Sequence, residues 1–221
     1  MARGPILLGR NAIPAKVSPL LRHPVFAWIG LRPVLGQHTA AEHAALKRWA
    51  TQRSSLVEIG VAEGASAIVL RQAMSPSGTL WLIDPFHLSR TRIINATKRA
   101  ARRVVGESKK GSVVWIEKFS FDAVSHWHTE IDFLFIDGDH SEAGVNQDWE
   151  KWHRFVVPGG VVAFHDASTF SGGWPRDDWG PVRLVNRLFR GQGLTEWTIV
   201  DEVDSLVVIK RIKTNCESKV G

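Results

Sequence analysis

The chain has 221 residues, with 28 Lys and Arg against 22 Asp and Glu, a formal net charge of +6 and 44% hydrophobic residues. That size and composition suit one globular domain with a sizeable core. A single cysteine, Cys216, excludes an internal disulfide and suits a reducing, cytoplasmic setting. No apolar run reaches the roughly 20 residues that a membrane-spanning helix needs.

No acidic residue precedes Glu42, while Arg3, Arg10, Lys16, Arg22 and Arg32 punctuate an apolar background. Pro14, Pro19, Pro24 and Pro33 break any continuous amphipathic helix, because each removes an amide donor and fixes φ. Residues 1–36 are therefore expected to form a basic, proline-punctuated arm rather than a transit peptide. Such an arm would lie on the domain or on a partner subunit, which makes a homo-oligomer, a dimer first, the expected assembly. Residues 37–213 are expected to form the domain and 214–221 a tail.

From there strands and helices alternate. Gln37 to Thr51 reads as a helix with Ala41, Ala45, Leu46 and Trp49 on its apolar side. Leu56–Ile59 reads as the first strand, followed by Gly64 and a helix to about Met74. Thr79–Ile83 is the second strand. A basic helix follows, in which Arg90, Arg92, Lys98, Arg99, Arg102, Arg103, Lys109 and Lys110 face only Glu107. Such a run can mark a nucleic-acid surface. No aromatic residue interleaves it, so no base-stacking platform is present, and a solvated helix face is the favoured reading.

Ser112–Ile116 is the third strand, Phe121–Trp127 a helix and Ile131–Ile136 the fourth strand. This fourth run is apolar without clean alternation, as expected of a strand covered on both faces. Val145, Trp149, Trp152 and Val156 recur at helical steps, Gly160–Phe164 is the fifth strand, and Pro181–Phe189 a helix. Thr195–Val200 and Ser205–Ile209, joined by the acidic link Asp201–Asp204, close the chain as an antiparallel hairpin. The fold class is α/β: a Rossmann-like, doubly wound sheet of seven strands, mostly parallel, with that hairpin at its edge.

Strand ends carry the chemistry in such sheets. The first strand ends in Glu58-Ile-Gly60-Val-Ala-Glu63-Gly64-Ala-Ser66, whose glycines allow a tight turn and close backbone approach to a ligand. The dinucleotide fingerprint G-x-G-x-x-G is absent, so no pyrophosphate cradle is indicated. Asp84 ends the second strand, placed to accept hydrogen bonds from ribose hydroxyls. Together with the acidic Glu58, this describes a nucleoside ligand with a positive centre and no pyrophosphate. At the other end, Ile136-Asp-Gly-Asp-His140 and Phe164-His-Asp166 bring Asp137, Asp139, His140, His165 and Asp166 to neighbouring strand ends. That set suits a hard-metal site or an acid/base site.

Taken with Gly36-Gln37 and Pro158-Gly-Gly160, these motifs resemble the class I S-adenosylmethionine-dependent methyltransferases. They look most like bacterial small-molecule O-methyltransferases related to macrocin-type sugar methyltransferases, over roughly residues 36–168. The resemblance implies a cofactor site lined by Gln37, Glu58, Gly60, Glu63, Gly64, Ser66, Asp84 and Asp137. It implies a divalent metal, Mg²⁺ first, held by Asp137, His165 and Asp166, which orients a hydroxyl of a small-molecule acceptor such as a saccharide. His165 departs from the plainest family pattern, where a carboxylate is common, and imidazole suits softer metals than Mg²⁺. Asp139, by its spacing in relatives, and His140, by its near-neutral pKa, are both candidates for the base that takes the proton. Asp139 also reads as a cap for the helix that begins near Glu142. The alternatives left standing are a nucleic-acid methyltransferase and a non-catalytic cofactor-binding module.

Overall fold

In the computed structural model, residues 22–86, 95–191 and 194–212 are described. The expected tail, most of the arm, and Arg90, Arg92, Ile93 and Ile94 of the basic segment lie outside them. Seven strands form one sheet: β1 (Ser55–Ile59), β2 (Thr79–Ile83), β3 (Ser112–Ile116), β4 (Ile131–Ile136), β5 (Val156–Phe164), β6 (Trp197–Val203) and β7 (Leu206–Arg211). Their order is β3-β2-β1-β4-β5-β7-β6. Neighbours pair in parallel except that β7 runs antiparallel to both β5 and β6. The terminal hairpin therefore seats its second strand inside the sheet and its first at the edge.

Helices α1 (Pro24–Trp28), α2 (Ala40–Ala50), α3 (Ala65–Ala73) and α4 (Ala96–Val105) precede the middle of the chain. The short α5 (Ser120–Ala123), then α6 (Glu142–Trp152) and α7 (Gly180–Phe189), follow it. The central strands are buried on both faces, and their side chains alternate between two cores. Leu56, Leu80, Phe133, Phe135 and Ala163 meet Leu46, Ile68 and Leu70 on one side. Val57, Ile59, Leu134, Ile136 and Phe164 meet Trp149, Trp152, Leu184 and Val185 on the other.

Several boundaries move. Gly36 and Gln37 lie before α2, not within it, because Thr39 caps the helix. Thr39 accepts from the Glu42 amide, and Glu42 returns a bond to the Thr39 amide, a capping box. The expected helix over Phe121–Trp127 is one turn of α5 followed by a 3₁₀ turn, Val124–His126. Val156 belongs to β5, not to the helix before it, and β5 runs through Pro158 with a register shift opposite Ile131 and Phe133. The acidic link Asp201–Asp204 is mostly strand: β6 continues to Val203 and the turn falls at Asp204, whose φ is +53°.

The basic helix keeps its cations close to home. Lys98 and Arg102 pair with Glu117, Arg99 lies over the Trp28 ring at 4.7 Å, and Arg102 over Trp115 at 4.9 Å. Arg103 reaches the Ala27 carbonyl and Glu107. These contacts tie α4 to α1 and β3, so part of the run serves packing.

Candidate active site

Strand register assembles the site. Ile59 stands opposite both Ile83 and Ile136, and Ile136 opposite Phe164, so three strand ends align with β1. The ladder continues one residue beyond each: Gly60 N–H donates to Ile83 O (3.0 Å), Asp137 N–H to Ile59 O (2.9 Å) and His165 N–H to Ile136 O (3.1 Å). Strand order reverses between β1 and β4, the topological switch point where open α/β sheets bind ligands. There a cleft of about 730 Å³ opens. Gln37, Gly60, Glu63, Ser66, Asp84, Asp137, Asp139 and His140 line it, as does His38. Glu58 and Gly64 do not, and His165 and Asp166 stand buried behind its wall.

At the cleft's glycine end every carboxylate has partners in its own chain. Gly60 has φ +87°, and a Cβ there would stand 2.1 Å from the Asp137 carbonyl oxygen. Only glycine allows β1 and β4 to approach that closely. Asp84 accepts from the Val61 and Ala62 amides (2.9 and 3.0 Å) and from Phe86 N–H (2.6 Å), bracing the loop. Glu63 takes a bidentate contact from Arg32 (2.7 and 2.8 Å) and the Leu35 amide (2.9 Å). Glu58 is fully buried below the loop and accepts from Ser66 Oγ. Burial pushes its carboxyl well above the usual range, with the charges of Asp137 and Asp84 adding to the effect. It lies under the loop and outside the cleft lining.

The other end is different. Asp137 is surrounded by three imidazoles: His165 Nδ1 at 3.0 Å, His38 Nε2 at 3.3 Å and His140 Nε2 at 3.6 Å. His140 Nε2 is also 3.6 Å from Asp166 Oδ2, and its ring stacks on Trp179. Asp166, at φ +53°, receives the Trp174 indole N–H on Oδ1 at 2.5 Å. Both tryptophans of the loop after β5 thus turn inward to the site. Buried and without a hydrogen bond remain Asp166 Oδ2, His140 Nε2, His165 Nε2 and both ring nitrogens of His38.

His165 is wedged between carboxylates, Nδ1 toward Asp137 and Nε2 3.5 Å from Glu42. Burial opposes its charge, but Asp137, then Glu42 and Asp166, lift it to about 10. Burial likewise opposes ionisation of Glu42, yet His165, Ser205 and Thr39 hold it at about 2. Burial would raise Asp137, and the surrounding imidazoles bring it well below the usual carboxylate range. The adjoining Asp137 raises His140 above its ordinary value.

Asp139 and His140, the two expected bases, part company. Asp139 is exposed and spends its oxygens on Ser141, accepting from the amide and the hydroxyl at 2.8 Å each. The cap of α6 is Ser141, which accepts from Gly144 N–H, so the expected cap at Asp139 is corrected by two residues. His140 alone faces Asp137 and Asp166. Sequence reasoning missed His38, Glu42 and Ser205, which donates to Glu42 Oε1 from both amide and hydroxyl. The pattern Thr39-x-x-Glu42 signals a capping box, but nothing local says that its glutamate also meets a residue 163 positions away.

With this geometry in view, comparison with known proteins is decisive on family. A model of a methyltransferase domain matches residues 57–167, just over half of the chain and the part that contains β1 to β5. The chain belongs to that family. The R132 protein of Acanthamoeba polyphaga mimivirus is 27% identical to this chain over 140 residues; the match spans 60% of this chain and 58% of that protein. The O-methyltransferase TomG of Streptomyces achromogenes, involved in tomaymycin synthesis and solved with S-adenosylmethionine, shares the fold at TM-score 0.61. It is 18% identical, over 92% of this chain and 94% of that one. An rRNA methylase of Streptococcus thermophilus shares it at TM-score 0.55 and 11% identity, over 80% of this chain and 100% of that one. A small-molecule enzyme and an RNA enzyme thus have the same fold, and the acceptor has to be argued from the site. Among the described residues no helix is long and apolar enough to cross a membrane.

Proposed function

We propose that this methyltransferase moves a methyl group from S-adenosylmethionine to a hydroxyl of a small molecule, with saccharides as the leading acceptor class. The observation that carries the reading is the cleft: it runs without a break from the glycine loop and Asp84 to Asp137 and His140. The loop and Asp84 fit a nucleoside, and Gly60 lets its backbone come close. The ionised Asp137 beside the loop suits the sulfonium of the cofactor.

A divalent metal fits the acceptor end. Asp166 Oδ2 and His140 Nε2 are buried without hydrogen bonds, an arrangement costing about 1–3 kcal/mol for each group unless a ligand satisfies it. Asp137, His165 and Asp166 would hold the ion. The ion would supply Lewis acidity, lowering the pKa of a bound hydroxyl. His140 is the base of this reading. Its Nε2 faces the two carboxylates, its ring is set by the stack on Trp179, and Gly180 N–H bonds its carbonyl at 3.1 Å. It would receive the hydroxyl proton as the methyl carbon is attacked in line. Trp174, bonded to Asp166, and Trp179, stacked on His140, stand beside these groups and would suit the apolar face of a sugar.

The test is a thermal-shift titration with S-adenosylhomocysteine, with EDTA or a divalent ion, followed by methyl transfer to a panel of hydroxylated acceptors. Binding of the cofactor product and transfer to a saccharide that EDTA abolishes is the expected result. No shift with S-adenosylhomocysteine would sink the cofactor assignment. Transfer only to RNA, with binding that weakens steeply as salt rises, would favour the nucleic-acid reading instead.

A further inference from the structure

We infer that His38 is a metal ligand, and that the centre at Asp137 takes a borderline first-row dication such as Mn²⁺, Fe²⁺, Co²⁺ or Zn²⁺ in preference to Mg²⁺. This rests on the proposed metal at Asp137 and names what that site selects.

His38 lies outside every motif that marks the family resemblance. It is 4% exposed, lines the cleft, and has no hydrogen bond at either ring nitrogen. A histidine that merely fills a core is ordinarily satisfied by a carbonyl or hydroxyl. This one instead presents Nε2 to Asp137 Oδ2 at 3.3 Å. Its ring packs on His165, centroids 4.2 Å apart, with Phe135 and His43 closing round it. The position is rigid: the next residue, Thr39, is locked in the capping box of α2 and donates to Asp204 Oδ2 at 2.6 Å.

His38, Asp137 and His165 can each turn one donor atom to a common point, all within 4.8 Å of one another; His140, His165 and Asp166 form a second such group. The contacts to Asp137, from His165 Nδ1 to Oδ1 at 3.0 Å and from His38 Nε2 to Oδ2 at 3.3 Å, fall in the range of neighbouring ligands on one ion. Bonds of about 2.1 Å place ligands about 3.0 Å apart in an octahedron and about 3.4 Å in a tetrahedron. Two imidazoles, His38 and His165, against one or two carboxylates is the donor set of borderline metals. Mg²⁺ prefers all-oxygen shells and keeps its waters.

The experiment uses the full chain carrying Cys216→Ser, so that the lone thiol cannot compete, stripped of metal with a chelator. Calorimetric titration with Mn²⁺, Co²⁺, Zn²⁺ and Mg²⁺ should give affinities at least about 10-fold tighter for the first three. His38→Ala and His38→Gln should each weaken Co²⁺ binding by on the order of 10- to 100-fold and alter its visible d–d bands. Their thermal shift with S-adenosylhomocysteine should survive, which shows that they fold. Equal affinity for Mg²⁺, or His38 variants that keep wild-type affinity and spectrum while Asp137→Asn abolishes binding, would overturn this inference and leave the metal at Asp137 standing. Failure of the unmutated site to bind any dication would overturn both.

Discussion

The two ends of the cleft are both built from acidic residues at strand ends, yet they treat those residues in opposite ways. At the glycine end Asp84 and Glu63 spend both oxygens on loop amides and Arg32, and Glu58 beneath them accepts from Ser66 on one oxygen and leaves Oε2 buried without a partner. At the acceptor end Asp166 Oδ2, Nε2 of His140 and of His165 and both ring nitrogens of His38 are buried and left over. A satisfied carboxylate shapes a backbone that binds by fit. An unsatisfied one keeps its coordination capacity for a ligand, at a cost in folding stability.

The largest effect expected from breaking this contrast is at Asp137, which belongs to both ends. Asp137→Ala should lower methyl transfer on the order of 10³-fold, since it removes the group round which His38, His140 and His165 gather. Turnover at saturating cofactor, compared with the S-adenosylhomocysteine thermal shift, checks it. The shift should fall far less than turnover.

Gly60→Ala attacks the other end by shape alone. Its Cβ would meet the Asp137 carbonyl at 2.1 Å, and its φ of +87° disfavours any side chain. A stability loss of about 2–5 kcal/mol is expected in denaturant titration. Cofactor affinity should drop with it, whereas a Gly172→Ala control, which shares the positive φ (+76°) but has nothing within 4 Å of its Cβ, should lose only the backbone cost of about 1–2 kcal/mol.

How much of this could be read beforehand follows from where each signal lies. β2, β3 and β4 occupy the stretches that the sequence marks for them, because each is an apolar run between turns. β5 was shorter in expectation, since Pro158 and two glycines look like a turn and not a strand crossing a bulge. At the site, Gly60, Asp84, Asp137, His140, His165 and Asp166 were legible, as they directly follow strands. His38, Glu42 and Ser205 were not: they come from a loop, a helix start and a hairpin turn that meet only in three dimensions. The partnering of Asp84 and the burial of Glu58 were equally hidden, because composition says nothing of which lone pairs are spent.

A pH experiment sharpens the acceptor end. Glu42, at about 2 in the fold against an ordinary 4.5, stabilises fully above pH 4.5 and loses that contribution as pH falls toward 2. His165, at about 10 against 6.5, stabilises fully below pH 6.5 and loses it as pH rises toward 10. In EDTA, the contribution of this pair should therefore be complete between about pH 4.5 and 6.5 and fall on either side. His165→Asn should flatten the alkaline decline of the melting temperature. A decline of unchanged slope would show that the buried imidazole holds no proton there.

The smallest effect sits between the two ends, at Asp148 of α6. It lies in the cleft wall, buried, with Ser120 Oγ as its donor. Burial, first of all, raises it to about 6, and the charge of Asp139 adds to the shift, against an ordinary 3.8. A raised carboxyl has the opposite sign to Glu42: it costs nothing below pH 3.8, and the cost grows until pH 6 and persists above it. Asp148→Asn keeps an acceptor for Ser120 and removes the charge. The apo protein should then melt a few degrees higher at pH 8 and no higher at pH 4. Equal gains at both pH values would mean that packing, not ionisation, limits this wall, and Asp148 would then belong with the satisfied carboxylates of the glycine end.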